Sequence, residues 1–571
     1  MVHGAPPAYL TGDRLVATAT GTLVIDADSG ALLAADRDGR RTAQVAIGRG
    51  AAQLVHDPDR GIAFVTDRMS DRVAVVDVRT MTIVGSWRTP VEPFGIALTP
   101  DRTTVLVTTL ADRTLVALDA EDGTERWRIR IAPGTRGISV APDGTLAMLA
   151  STATGTLDLV ELAGEHRVAS VPFDTACERC QESGAFVRGT GTVRYVDDHR
   201  AIATFQRSIP ESLLEMRVGR YGGGSRPPIT QHVAFFTFST DPAKPGVAQK
   251  VARIAEHQPR PIAWDFAHDT LYVAGHGSDS LLQLPGLSKD DSAAMESSAA
   301  DVLLRPTTGR CGPDGLALSP DGELVVWCSF KRTLMRVTAA DPSDLVHTAK
   351  LVEGPPLVAS AYTAEQHLGL QLFSSTTPLV NRENALACAS CHIDGGSDGL
   401  SWKIGKQALQ TPALAGRLAG TAPYKWDGSD ATLAASFATT IHRLGGNGLD
   451  KAQTASLVAY LQALPRPRVP TRDPDAVARG KAVFENAGGC AECHGGASFS
   501  DGERHQFASS LEDVDTPSLV GLASTAPYYH DGSAETLDDL LRGGGSVHGM
   551  FDPGKLSDAQ RADLKAYLES L

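Results

Sequence analysis

A unit of about 40 residues recurs through the first 355 positions, and no other feature narrows the possible folds as much. GIAFVTDRMSDRVAVVDVRTMTIVGSWRTP (61–90) is followed by GIALTPDRTTVLVTTLADRTLVALDAEDGTERWRI (95–129) and GISVAPDGTLAMLASTATGTLDLVEL (137–162), and far downstream by GLALSPDGELVVWCSFKRTLMRV (315–337). Each unit carries alternating β-branched strands separated by tight turns. At Pro142–Gly144 and Pro320–Gly322 the proline presets φ and the glycine supplies a positive one. One such unit cannot bury both of its faces, whereas radial packing of several does, so an all-β propeller is expected. About seven units are counted, near 13–48, 51–91, 94–134, 137–173, 190–255, 262–304 and 313–353. The fifth is swollen by an insertion, about 174–230, that holds CERCQ (177–181) and GRYGGGSRPP (219–228).

The strings AFVTDRMSDRVAVVD and PFGIALTPD resemble the YVTN-type β-propeller repeat, a likeness that implies a blade scaffold and no particular chemistry. A chain of 571 residues is too long for one core, so further domains are expected beyond the propeller at 1–355. The net charge of −14, with no Lys/Arg block, argues against nucleic acid or an anionic membrane as partner. No apolar run reaches membrane-spanning length, which predicts a soluble mature chain. The N-terminus, MVHGAPPAYLTGDRL, has no apolar core of a signal peptide, so an export signal is expected to be missing from this chain.

From about residue 360 the strand pattern gives way to helical spacing, and this part is itself duplicated. LDKAQTASLVAYLQAL (449–464) matches LSDAQRADLKAYLESL (556–571), and TAPYKWDGSDATL (421–433) matches TAPYYHDGSAETL (525–537). QTPALAGR (410–417) matches DTPSLVGL (515–522), and CASCH (388–392) matches CAECH (490–494). Two mainly α-helical cytochrome c domains are expected, at 363–465 and 473–571, with PRPRVPTRDPD as the linker. Capping pairs Asp450–Gln453 and Ser557–Gln560 open their last helices, and Pro474 begins another.

The Cys-x-x-Cys-His motif has a definite chemical meaning. Two sulfurs on one turn of chain reach the two vinyl groups of one haem, and the adjacent imidazole meets the iron. Cys388, Cys391 and His392, and again Cys490, Cys493 and His494, therefore predict two covalently bound c-type haems with His392 and His494 as proximal iron ligands. The competing reading is a zinc site made from the four cysteines, which would not need a histidine after each pair. Gln181 cannot ligate iron, so Cys177 and Cys180 read as a local disulfide or loop clip, with a redox or metal role as the alternative. Cys311 and Cys328 flank a hairpin and read as a strand-linking disulfide.

LGLQLFSSTTPLVNRENALACASCH (368–392), YKWDGSDATL and TAPYYHDGSAETLDDLL resemble the signatures of bacterial di-haem cytochrome c peroxidases and their MauG-like relatives over residues 363–571. That resemblance implies two haem domains packed face to face, the C-terminal haem taking electrons from a donor protein and the N-terminal one reacting with peroxide or a related oxidant. It also implies a tryptophan between the haems, here Trp426. Three family positions are changed. The stretch 393–410 lacks the family's capping histidine, the catalytic glutamate falls at Gly446, and the calcium-binding asparagine falls at Gly416, which leaves calcium doubtful.

The opposite side of each iron decides between electron carriage and oxidant binding. Aligned from the C-terminus, His442 in the first repeat and Met550 or His548 in the second occupy the same place. Met550 is the expected distal ligand of the second haem, with His548 as alternative. His442 is expected either as axial ligand of the first or as a distal acid/base moving a peroxide proton. His530 replaces Trp426 in the second repeat and is assigned to the region between the haems, while Tyr424, Tyr528 and Tyr529 read as packing. The expected function is a di-haem redox enzyme that reduces peroxide or oxidises a protein substrate, with His442 and Trp426 as catalytic residues. The alternative is an electron-transfer cytochrome with both irons six-coordinate. Either needs a small donor such as a cytochrome c or cupredoxin, with the propeller as docking platform, in the periplasm or outside the cell.

Overall fold

The computed structural model describes residues 10–173, 185–212, 227–239, 246–286, 300–304, 309–339, 344–381, 383–506, 510–543 and 555–571. Cys177, Cys180, His548 and Met550 lie outside them. The chain divides into two compact units, Met1–Ser208 with Thr230–Ala361, and Ile209–Ile229 with Tyr362–Leu571. No helix among the described residues is long and apolar enough to cross a membrane.

The first unit is a seven-bladed β-propeller. Its seven antiparallel four-stranded sheets span 15–46, 51–88, 93–130, 135–172, 186–254, 259–303 and 313–353, each with strands in sequence order from the inside outwards. Outer strands such as Thr82–Arg88 are largely exposed, whereas Thr104–Thr109 in the interior of its blade is wholly buried. Gly95 and Gly137, which open two of the GI repeats, have a steric cause. A Cβ on Gly95 would meet the Arg136 carbonyl, and one on Gly137 the Gly191 carbonyl, because inner strands of adjacent blades crowd together there. The fifth blade is enlarged, with strands Phe186–Asp197 and Ile229–Phe238.

Each apolar cluster of the propeller joins one blade to the next, from Leu54 and Ile25 between the first two to Ala317 and Leu33 between the last and the first. Among the described residues the ring thus closes by packing, with no strand shared between the first and last blades. Asp28 reinforces the seam, accepting hydrogen bonds from Ser360 Oγ and the Ala361 amide (2.8 Å) and lying 3.5 Å from Arg332. Cys311 and Cys328 form the expected disulfide within the seventh blade.

In the second unit six helices matter: α1 (Ala364–Ser374), α2 (Leu433–Arg443), α3 (Lys451–Ala463), α4 (Pro474–Ala482), α5 (Leu537–Leu541) and α6 (Asp558–Leu568). The capping boxes at Asp450 and Ser557, and Pro474 at the start of α4, stand as the sequence predicts. Helix α1 crosses α3 at Gly369, where a Cβ would strike the Ser456 carbonyl, and α4 crosses α6 at Gly480, where it would strike that of Asp563. The duplication is therefore structural, with one glycine letting each helix pair touch backbone to backbone. Residues 209–212 and 227–229, expected within the propeller insertion, group with this unit: Glu211 lies 3.1 Å from Lys403, and Ile229 packs with Leu386, Leu400 and Trp402.

Candidate functional site

Both Cys-x-x-Cys-His motifs fold as a single 3₁₀ turn, Cys388–Ser390 and Cys490–Glu492. In each, the histidine amide donates to the carbonyl of the first cysteine at 2.9 Å (His392 to Cys388, His494 to Cys490). The turn places both sulfurs and the imidazole on the wall of one cavity of about 520 Å³, lined by both repeats of this unit. Burial pushes the Cys388 and Cys490 thiols up to about 11 and the His392 imidazole down to about 4.

Each imidazole is pinned through Nδ1. That of His392 lies 3.0 Å from the Pro412 carbonyl and that of His494 3.0 Å from the Phe499 carbonyl. A carbonyl accepts only from a protonated Nδ1, so in each neutral imidazole Nε2 is the nitrogen that bears the lone pair and could ligate metal. The Thr-Pro segments are held alike, Ser397 Oγ donating to the Thr411 carbonyl (2.6 Å) and Ser500 Oγ to that of Thr516 (2.7 Å).

The repeats are stitched together reciprocally. The Gln410 amide donates to the His530 carbonyl (2.7 Å), and the equivalent Asp515 amide donates to the Trp426 carbonyl (2.8 Å). Trp426 lines the cavity, and its indole Nε1 donates to the Gln410 carbonyl (2.7 Å). His530 also lines it, with Nε2 3.1 Å from Ser510 Oγ. Tyr424 and Tyr528 donate to the Leu418 and Leu522 carbonyls (3.0 and 3.2 Å), a paired structural role.

His442 is not brought to this site. It is exposed in the last turn of α2 and does not line the cavity, whereas Phe437, Thr440, Ile441 and Leu444 do. Helical rotation of about 100° per residue turns 442 to solvent when its neighbours face inward. Gly446 is wedged against the Leu379 and Val380 carbonyls with no room for a side chain, and Gly416, at φ +71°, packs against Arg466.

Four residues that the sequence reading passed over face the cavity. Lys425 Nζ donates to Thr440 Oγ1 (2.6 Å) and the Ser436 carbonyl (3.0 Å), and burial together with Arg443 lowers it to about 8. Arg443 has a buried Nε without a hydrogen-bond partner among the described residues. Asp515 is buried with Oδ1 unpartnered, and desolvation, aided by Asp501 and Asp427, lifts it to about 7. His505 lies 2.9 Å from Asp501, and with Cys493 these donors come within 4.8 Å of one another. Only Lys425 had a visible signal, as the odd member of the aligned pair TAPYKWDG and TAPYYHDG.

These residues fit haem. The cavity holds both attachment turns and both pinned imidazoles, the donor set that a covalently held haem needs. A metal at Cys493, Asp501 and His505 would consume a thiol that the haem turn needs.

The cytochrome c family matches over residues 477–571. The methylamine utilization protein MauG of Methylorubrum extorquens is 27% identical over 274 residues, 36% of this chain and 77% of that protein. Hydrazine synthase subunit gamma of Kuenenia stuttgartiensis is 24% identical over 261 residues, 33% and 73% of the two chains. A cytochrome-c peroxidase of Denitromonas iodatirespirans is 29% identical over 140 residues, 16% and 38%. Among solved structures, a Kuenenia stuttgartiensis hydrazine synthase chain aligns with TM-score 0.42 at 17% identity, covering 62% of this chain and 98% of that one. The chain is thus a β-propeller fused to a haem cytochrome module. Within that class its similarity is to haem redox proteins of the MauG and peroxidase type.

Proposed function

We propose that the chain is a di-haem c-type oxidoreductase that carries electrons from a small donor protein to an oxidant, peroxide being the leading candidate, or draws them from a protein substrate. Cys388 and Cys391 would hold the first haem and Cys490 and Cys493 the second by thioether bonds, with His392 and His494 as proximal ligands. Bound there, each haem supplies a one-electron iron couple and, where a face is open, a Lewis-acid site.

One observation carries the reading: a continuous bonded path between the two imidazoles. It runs from His392 Nδ1 to the Pro412 carbonyl, back along the chain to the Gln410 carbonyl, and across to Trp426 Nε1. From the Trp426 carbonyl it crosses to the Asp515 amide, from the Thr516 carbonyl to Ser500 Oγ, and from the Phe499 carbonyl to His494 Nδ1. Each step is a covalent link or a hydrogen bond of 2.7–3.0 Å. Trp426 is the one aromatic ring on it. Its N–H is held by a carbonyl, which cannot take the proton, so Trp426 would pass an electron while keeping that proton.

His442 is exposed and does not line the cavity, so it is proposed neither as sixth ligand of the first iron nor as its acid/base, and the enzyme reading is preferred because no described side chain is assigned to cap that iron. Met550 remains the proposed distal ligand of the second. A chain carrying thioether-linked haem and a disulfide belongs to an oxidising compartment, so a periplasmic location is proposed, with the propeller as docking scaffold. The pyridine haemochrome should give two c-type haems per chain, and the reduced protein should bind carbon monoxide at one of them. One haem or none, or no response to carbon monoxide, overturns the enzyme.

A further inference from the structure

We propose that Lys425, with Arg443 beside it, makes the open face of the first haem a seat for a small monoanion of the azide or hydroperoxide class. The inference rests on the two-haem reading above and assigns to Lys425 a task that neither His442 nor position 446 can perform.

Lys425 is held as an ammonium. Its Nζ donates to the Ser436 carbonyl (3.0 Å) and Thr440 Oγ1 (2.6 Å), and Asp430 lies 3.7 Å away. Those three contacts fix the charge in place against α2, on the cavity wall. The residue is held at φ +75°, a conformation that L side chains avoid and that persists only where the surroundings enforce it. Arg443 adds a second cation on the same wall, its Nε buried and unpartnered. Asp430 is the carboxylate common to both, Asp427 acting on Lys425 from further off and also on Asp515. Two inward cations thus share one close carboxylate, a balance that favours one more negative charge in the cavity.

The cations line the same cavity as the first Cys-x-x-Cys-His turn. Lys425 interacts electrostatically with the His392 imidazole and Arg443 with the Cys391 thiol, the two groups that would fix the porphyrin. The second repeat lacks this arrangement. Tyr529 stands where Lys425 does, at φ +69°, and Leu540 replaces Ser436. Attachment is duplicated and the anion seat is not, so the preference belongs to the first haem alone.

The test is azide titration of the full-length ferric holoprotein, followed optically and by electron paramagnetic resonance, in wild type, Lys425→Met and Lys425→Arg. Carbon monoxide on the reduced protein serves as the neutral-ligand control, and haem per chain is counted in every sample. Wild type should bind azide at one haem, Lys425→Met should bind it roughly ten- to a hundredfold more weakly with carbon monoxide affinity unchanged, and Lys425→Arg should restore most of the azide affinity. Equal azide affinity in Lys425→Met, or azide and carbon monoxide weakening together, overturns the proposal. So does a wild-type protein with two haems that binds no azide. A count below two haems per chain overturns the reading beneath it, which keeps the two failures apart.

Discussion

Replacing Asp515 by asparagine should make the haem unit more stable at alkaline pH and leave it nearly unchanged in acid. The residue is 8% exposed, its Oδ1 meets no donor among the described residues, and desolvation lifts its carboxyl from 3.8 to about 7 against the opposing pull of Arg504 and His505. A native-state pKa above the unfolded one means that folding binds the proton more tightly. The native state therefore loses stability as pH rises through the interval between the two values, and the loss is complete above about 7. That interval corresponds to about 4 kcal/mol as an upper bound, at 1.36 kcal/mol per pH unit. Asparagine keeps the shape and drops the charge, so Asp515→Asn should exceed wild type by about 2–4 kcal/mol at pH 8.5 and match it near pH 4. Denaturant titration of the holoprotein, read at the Soret band across this pH range, measures the difference directly. A difference between variant and wild type that stays constant with pH refutes the reasoning, because it would mean that Asp515 is ionised in the native state throughout.

Trp426→Phe removes the indole N–H bond to the Gln410 carbonyl and should slow electron transfer between the haems at least tenfold, by stopped-flow, with two haems still attached. His442→Ala should leave the electronic spectra of both oxidation states unchanged, since the side chain is exposed and outside the cavity. Gly369→Val drives a side chain into the Ser456 carbonyl and the Tyr460 Cβ at the α1–α3 crossing, and should cost about 3 kcal/mol or more in denaturant unfolding followed at the Soret band. Changing Cys311 and Cys328 together to alanine opens a loop of sequence separation 17 and should lower propeller stability by about 3 kcal/mol in calorimetry.

The propeller was legible because its steric demands repeat with its sequence. Gly95, Gly137 and Gly315 all answer to the same crowding between inner strands, so at these positions the repeated glycine and the repeated fold have one cause. The two Cys-x-x-Cys-His turns were legible because their fixed spacing makes one 3₁₀ turn each, and the helix starts because Asp450, Ser557 and Pro474 act locally. His442 was misplaced because alignment from the C-terminus counts residues and says nothing of the angle at which each leaves its helix. Lys425 and Asp515 escaped notice for another reason. A lysine and an aspartate beside aromatic or threonine neighbours read as solvated, and only the fold turns them inward. The grouping of Glu211 and Ile229 with Lys403 and Trp402 depends on contacts that span 192 and 173 positions of the chain, which no local pattern encodes.

Duplicated halves make their differences informative, because everything required merely to hold a haem should appear twice. The 3₁₀ turn, the glycine crossing, the serine clasp on the Thr-Pro carbonyl and the reciprocal amide bonds all do. What appears once is Lys425, Trp426 and the Pro412 carbonyl as the clamp on a proximal imidazole, and all three belong to the first repeat. Pro412 lies in the same Thr-Pro segment as Gln410, whose carbonyl holds Trp426, whereas His494 is clamped by Phe499 from its own loop. A charge arising on His392 is therefore two short chain steps from the tryptophan, and one arising on His494 must first cross the Ser500 clasp. On the di-haem reading proposed above, this asymmetry would favour oxidant chemistry at the first haem and electron supply from the second, a division of labour that two equivalent carriers would not need.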